Sequence, residues 1–126
     1  MKILCHHIYE YKKGLRSLVL HTLATEYLRE AELRLKRNNI PYIIRQVNET
    51  KVNIFFGDRS CVAVVASFGD KPLNALTSEE DFILGIMLGY SRIEQCRRYL
   101  KRSRLNPYAA NRATVHDTVA LRSVSA

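Results

Sequence analysis

The sequence has few cysteines and no long apolar segment. Its three cysteines, Cys5, Cys61 and Cys96, are widely spaced and odd in number. This pattern argues against a disulfide framework and predicts reduced thiols in a cytoplasmic protein. No apolar run is long enough to span a membrane, and the first residues do not form a secretory signal, so we expect no membrane association.

The motifs of common catalytic and cofactor sites are also missing. The chain has no Cys-x-x-Cys or His-x-x-x-His spacing, no nucleophile elbow and no Gly-rich phosphate loop. We therefore predict no metal and no cofactor. Cys61 lies in an apolar run and Cys96 on an apolar helix stripe, where thiols are usually inert. A Cys–His pair that meets only in the fold leaves an enzyme as a third, less favoured hypothesis.

Acidic residues are scarce in the last third of the chain. From Phe82 onward eight Lys and Arg residues stand against two acids, so this part carries +6 of the net charge of +8. A basic surface on one side of a small protein indicates an acidic partner, which can be a nucleic acid, an anionic membrane or an acidic protein.

The clearest helix signals lie in residues 77–104. Thr77 or Ser78 can cap a first helix, and Glu79, Glu80 and Asp81 suit its positive end. Gly89 can end that helix in a left-handed conformation. A Ser91-x-x-Glu94 capping box then predicts a second helix from about Arg92 to Ser103. One long helix kinked at Gly89 is the alternative.

Spacing of three and four residues predicts which faces of these two helices are buried. We expect the following residues to point inward: Phe82, Ile83, Ile86, Met87 and Tyr90 in the first helix, and Ile93, Cys96, Tyr99 and Leu100 in the second. Gly85 and Gly89 lie four apart and would let another backbone approach closely.

The first part of the chain is less clear. Cys5–Lys13 fits a strand or a helix. Leu15–Leu23 has helical spacing, and Thr25 can cap a helix from Glu26 to about Arg37.

Three short β-rich runs follow, at Ile40–Val47, Lys51–Phe56 and Cys61–Phe68. Their short loops predict an antiparallel meander. The fold class is therefore α+β: a three-stranded antiparallel sheet covered on one face by N-terminal and C-terminal helices, in the order α-β-β-β-α. We expect one domain over residues 1–104 and a tail, 105–126, that is poorly ordered or ordered only by a partner. Dimerisation through a sheet edge, the free sheet face or Gly85 and Gly89 is plausible.

Two stretches carry a resemblance to a known family. HHIYEYKKGLR at residues 6–16 with LVLHT at 18–22, and EEDFILGIMLGY at 79–90 with Gln95-Cys96-x-Arg98-Tyr99, resemble a small bacterial family known only as a domain of unknown function, number twenty-twenty-three. The resemblance covers about residues 5–102. It implies three strands with several helices, a homodimer and no established activity, and proteins of this family often accompany flavodoxin in bacterial genomes. Its first stretch marks a possible signature surface of His6, His7, Tyr9, Tyr11, Lys12 and Lys13.

A shorter resemblance concerns residues 88–108. Leu88-Gly89-Tyr90-Ser91, Tyr99-Leu100-Lys101-Arg102 and Asn106-Pro107-Tyr108 are similar to the last helix-turn-helix of AraC-type regulators. Cys96 stands where that motif has an aromatic residue, and no preceding tandem motif is visible.

The sequence thus predicts a binding or accessory protein that docks an acidic, flavodoxin-like protein through its basic last helix. The predicted partner-binding residues are Arg92, Arg97, Arg98, Lys101, Arg102 and Arg104. The alternative is nucleic-acid binding through the helix-turn-helix-like segment 78–103.

Overall fold

The computed structural model describes residues 1–104 and contains five α-helices and three β-strands within that range. The elements in chain order are α1 (Lys2–Lys12), β1 (Leu18–Ala24), α2 (Leu28–Arg37), β2 (Tyr42–Gln46), β3 (Lys51–Gly57), α3 (Arg59–Ser67), α4 (Ser78–Met87) and α5 (Arg92–Arg102), with 3₁₀ turns at Thr25–Tyr27 and Leu73–Ala75. No helix in this range is long and apolar enough to cross a membrane. The predicted tail lies outside the described residues.

The three strands form one antiparallel sheet in the order β1-β3-β2. The α+β class with a three-stranded antiparallel sheet is thereby confirmed. Val52 through Gly57 are all buried, because β3 is the central strand and both of its faces are covered. The other two strands each leave one edge without a partner strand within residues 1–104.

Helices cover both faces of this sheet, whereas the sequence predicted cover on one face only. On the first face, α1 and α2 pack through residues such as Leu4 and Leu35 onto Ile54 and Phe56. On the second face, α3 and α4 pack through residues such as Val65 and Leu84 onto Phe55. Successive strand residues point to opposite faces, so the run at 52–56 supplies both cores.

The predicted third strand, Cys61–Phe68, is wrong, because this run is α3. Asp58 caps the helix by accepting a hydrogen bond from the Ser60 backbone N–H at 2.9 Å. Val62 and Val65, three residues apart, are buried, whereas Val64 is exposed. A short, continuously apolar run does not distinguish a buried strand from a helix, and the Asp58 cap is a helix signal that the prediction did not use.

The third strand comes instead from Leu18–Ala24, where helical spacing was predicted. Leu18 and Leu20 pack with the second core and Val19 and Leu23 with the first, so both faces of the strand are used. The order of elements therefore differs from the predicted α-β-β-β-α. The sequence left residues 5–13 open between a strand and a helix, and the structure shows a helix. Leu4 and Ile8, four residues apart in α1, are buried.

The predicted helix from Glu26 to about Arg37 is confirmed at its end but not at its start. Thr25 begins a 3₁₀ turn and does not cap a helix, and α2 runs from Leu28 to Arg37. The predicted division of residues 77–104 is confirmed. Gly89 has a φ of +86° and separates α4 from α5, so the stretch is two helices and not one kinked helix. Thr77 caps α4 in a complete capping box with Glu80. At α5, Ser91 accepts from the Glu94 backbone N–H at 3.4 Å, and within residues 1–104 the reciprocal half of that box is missing.

Candidate interaction surface

The helical hairpin of α4 and α5 packs around one buried amide side chain. Gln95 is only 8% exposed and is the one residue of α5 buried in the hairpin. Its side chain occupies the space in which a Cβ at Gly85 would have to sit. The predicted role of Gly85 in approaching a second molecule is therefore wrong, since its own chain fills that space.

A second link joins the helices through Asp81. Arg98 donates to both carboxylate oxygens, at 2.8 and 3.1 Å, and Arg102 Nη1 lies 3.0 Å from Oδ1. Arg102 also donates to the Leu76 carbonyl at 3.0 Å. The hydrogen bond from Arg98 is the main reason that the pKa of Asp81 is lowered. Two of the six predicted partner-binding cations are thus bound within the chain.

The other four predicted cations are exposed. Arg92, Arg97, Lys101 and Arg104 form no salt bridge with any residue in the described range. Arg97 and Lys101 are four residues apart, which places them on one side of α5, and Arg104 follows just beyond the end of that helix. We call these three residues the basic strip.

The apolar stripe of α5 does not face the core, contrary to the prediction. Ile93 is 65% exposed, Cys96 is exposed, and Tyr99 and Leu100 are half-buried. The last three face a groove of about 560 Å³ between the two helices, which Phe82 and Ile83 line from the α4 side and Glu79 closes. We call this the α4–α5 groove.

Two contacts join α4 to α5 along the α4–α5 groove. The Phe82 and Tyr99 rings meet edge to face with centroids 5.6 Å apart, and the Tyr99 hydroxyl donates to Glu79 at 3.3 Å. The predicted inward face of α4 also needs correction, because Leu84, Gly85 and Leu88 face the core. Ile83 and Tyr90, which were predicted to be inward, are 40% and 55% exposed.

The possible signature surface lies elsewhere. His6, His7, Tyr9, Tyr11, Lys12 and Lys13 belong to α1 and its C-cap, on the first face of the sheet, whereas α4 and α5 lie on the second. The structure does not bring the two predicted sets together.

Most of these α1 side chains have partners within the chain. His7 Nδ1 lies 3.1 Å from Arg16 Nη1 and 3.5 Å from Glu10, and its ring contacts His21. Lys12 donates to Asn38 at 3.0 Å, Lys13 lies over the Tyr9 ring, and Tyr11 packs against the first core. His6 is 3.6 Å from Glu10.

The cysteines lie apart. Cys5 and Cys96 are exposed, and burial raises the pKa of the half-buried Cys61 thiol, which disfavours the nucleophilic thiolate. Burial, with His7 nearby, lowers the pKa of His21 and keeps that ring neutral. Among residues 1–104 no group of three His, Cys, Asp or Glu side chains is placed to hold a metal.

Two residues that organise the surface were missed in the sequence. Asp81 was interpreted only as a charge that suits the helix N-terminus, and Gln95 had no assigned role. A polar residue at an inward helix position, four residues after the Ser91 cap, is a signal that could have identified Gln95. The pairing of Asp81 with Arg98, 17 residues away, depends on the hairpin geometry.

The family comparison covers nearly all of the residues that the structure describes. A family model described as "Protein of unknown function (DUF2023)" matches residues 2–102. That range runs from the first residue of α1 to the last residue of α5. A comparison with curated proteins finds no match.

Proposed function

The chain belongs to the DUF2023 family, and we propose that it is a cytoplasmic accessory protein that docks an acidic, flavodoxin-like protein. The docking surface is the α4–α5 groove with the adjoining basic strip. The observation that carries the proposal is the position of α5, which presents exposed apolar and cationic side chains side by side. The three free thiols fit a reducing compartment.

The charges of the basic strip determine the kind of partner. Arg97, Lys101 and Arg104 are exposed and have no acidic partner within residues 1–104. Cations arranged on one side attract a partner of opposite charge and speed its association, and the effect weakens as salt screens it. An acidic protein surface is therefore the complement.

The groove gives the same surface an apolar centre. Protein interfaces combine an apolar, aromatic core with a charged rim. Here Phe82, Ile83 and Leu100 supply the core, Ile93 extends it, and Arg97 and Lys101 lie on the rim. The phosphate surface of a DNA duplex has no apolar side chains for this groove, so the surface favours a protein.

The state of the other cations also argues against the nucleic-acid alternative. Arg98 and Arg102 would have to leave Asp81 before they could contact phosphates. The N-terminal half of a recognition helix faces the base edges in helix-turn-helix complexes. In α5 that half exposes Ile93 and the acidic Glu94.

A binding titration tests the proposal with two probes, a purified acidic flavodoxin and a short DNA duplex. We expect saturable flavodoxin binding that weakens as salt is added. Arg97→Glu/Lys101→Glu should weaken it about tenfold or more at low salt, since two rim attractions become repulsions. Ile93→Ser should weaken flavodoxin binding through lost apolar contact and leave any duplex binding unchanged.

The matched control is Lys36→Glu/Arg37→Glu. These cations lie in the last turn of α2, as Lys101 lies in the last turn of α5, but on the opposite face of the sheet. Equal binding by both double variants, or an absence of flavodoxin binding at low salt, would overturn the proposal. The nucleic-acid alternative would be established if the protein bound the duplex more tightly than flavodoxin, and if Arg97→Glu/Lys101→Glu abolished that binding while Lys36→Glu/Arg37→Glu did not.

We also propose the homodimer that the resemblance implies, formed through a strand edge. The sequence offered three dimer surfaces: a sheet edge, the free sheet face, and the face of Gly85 and Gly89. Helices cover the second sheet face, and the Gln95 side chain covers Gly85. The outer edges of β1 and β2 remain. Sedimentation equilibrium over a range of protein concentrations measures the mass, and a monomer throughout would contradict the dimer.

A further inference from the structure

A separate pocket of about 320 Å³ lies on the second face of the sheet, beneath the segment that joins α3 to α4. Asn53 and Phe55 of β3 form its floor, Val65 and Phe68 form a wall, and Leu73 lies in its roof. The volume is at the lower end of the range of about 300 to 1,000 Å³ that is typical of small-molecule sites. The pocket shares no residue with the α4–α5 groove.

The floor of the pocket contains a buried amide with unused donors. Asn53 is 7% exposed, and its Oδ1 accepts a hydrogen bond from the Thr22 hydroxyl at 2.6 Å. Its NH₂ group donates to no atom of residues 1–104. Because Asn53 lines the pocket, this NH₂ group is open to the space inside it and can donate to an acceptor oxygen placed there.

The mouth of the pocket is cationic. Arg45 and Lys71 line it, and no Asp or Glu does. The nearest carboxylate to Arg45 belongs to Asp70, which is 3.7 Å away with its side chain 88% exposed, so this ion pair is weak. Lys71 is engaged by Glu80, which is not among the residues that line the pocket. Arg45 is therefore the cation best able to bind an anion there.

We propose that this pocket binds a small carboxylic acid with an apolar body and a second acceptor oxygen. The carboxylate pairs with Arg45, and the apolar body lies against Phe55, Val65 and Phe68. The second oxygen, a hydroxyl or keto group next to the carboxylate, accepts from the Asn53 NH₂ group. Few polar groups around an apolar space are the usual arrangement in sites that orient a small ligand.

Titrations followed by ¹H–¹⁵N correlation spectra test this site. The probes are phenyllactate, 3-phenylpropanoate, which lacks the second oxygen, and phenyllactate methyl ester, which lacks the charge. We expect saturable shifts of the Asn53, Phe55 and Val65 amide signals with phenyllactate. Binding should weaken about tenfold in 3-phenylpropanoate and more in the ester, as each loses a hydrogen-bonded group.

Two variants complete the test. Arg45→Gln should weaken phenyllactate binding about tenfold, while Arg37→Gln, an exposed change on α2, leaves it unchanged. Leu73→Trp fills the pocket from its half-exposed roof and should abolish binding without unfolding the chain, which a thermal melt verifies. The proposal is overturned if phenyllactate shifts none of these signals. It is also overturned if the parent protein binds the ester as tightly as phenyllactate and Arg45→Gln binds phenyllactate as tightly as the parent does. Flavodoxin binding is measured separately, so the two proposals fail independently.

Discussion

Replacing Asp81 by Asn should detach α5 from the rest of the fold. The Asp81 side chain is 15% exposed, and its carboxylate receives two hydrogen bonds from Arg98 and lies 3.0 Å from Arg102. Hydrogen bonds to charged groups contribute about 1.5 to 3 kcal/mol each, but Arg98 is 56% exposed, so solvent screens its share. We expect the free energy of unfolding to fall by about 2 kcal/mol, which lowers Tm by about 10 °C in a domain of this size.

Urea unfolding followed by circular dichroism measures this change, and Glu79→Gln is the control. Glu79 lies in the same first turn of α4, so its loss has the same effect on the helix dipole, but it receives only the 3.3 Å hydrogen bond from Tyr99. If the two variants differ by less than about 0.5 kcal/mol, Asp81 does not hold the hairpin together.

The loss of stability caused by Asp81→Asn should depend on pH. The pKa of Asp81 is lowered from its ordinary value of 3.8, mainly by the hydrogen bond from Arg98. Its contribution to stability is therefore complete above that ordinary value and is lost as the pH falls through the lower folded-state pKa. The stability gap between the parent and Asp81→Asn should begin to narrow below about pH 4 and close only below the lowered folded-state pKa. A gap that persists in acid would contradict the ion-pair explanation.

Two further predictions concern packing and titration. Gly85→Ala should destabilise the parent, because the added methyl group overlaps the Gln95 amide. In a Gln95→Ala background the same change should stabilise the protein by about 1 kcal/mol through helix propensity. A double-mutant cycle that shows no coupling between the two positions would contradict this packing. Burial and the hydrogen bond to Glu32 raise the pKa of Tyr42 to about 12. The free energy of unfolding should therefore fall as the pH rises from 10 towards 12. The variant Tyr42→Phe should remove that decline. If the decline is unchanged in the variant, Tyr42 is not its source.

The sequence predicted the C-terminal helices well because their signals are local. Thr77, Gly89 and Ser91 act on backbone groups within a few residues, so caps and the left-handed glycine could be identified without the fold. The central strand, Lys51–Gly57, was equally clear because it is apolar on both faces.

Two elements, β1 and α3, were predicted in the wrong class because local sequence signals do not determine them. Leu18–Ala24 and Arg59–Ser67 are both short and apolar, and each has a spacing that fits a helix or a strand. What decides between them is pairing with β3, a contact between residues more than 30 positions apart at Leu20 and Phe55. Such pairing depends on the whole chain and leaves no trace in a window of ten residues.

The candidate surface was predicted in its charge but not in its shape. The exposure of Arg97 and Lys101 follows from a basic helix end, whereas the loss of Arg98 and Arg102 to Asp81 needed the hairpin angle. The apolar stripe of α5 was identified from its spacing. Because Gln95 takes the inward position, that stripe lies on the outside and forms the α4–α5 groove.

The most direct measurement of the central claim maps the docking surface. ¹⁵N-labelled protein is titrated with unlabelled flavodoxin at low salt, and the backbone amides that shift are located on the structure. We predict that the shifts cluster on the α4–α5 groove and the basic strip, at residues such as Ile83, Ile93, Arg97 and Lys101. Shifts confined to α1, at His6 through Lys13, or no shifts at all, would contradict the proposed surface.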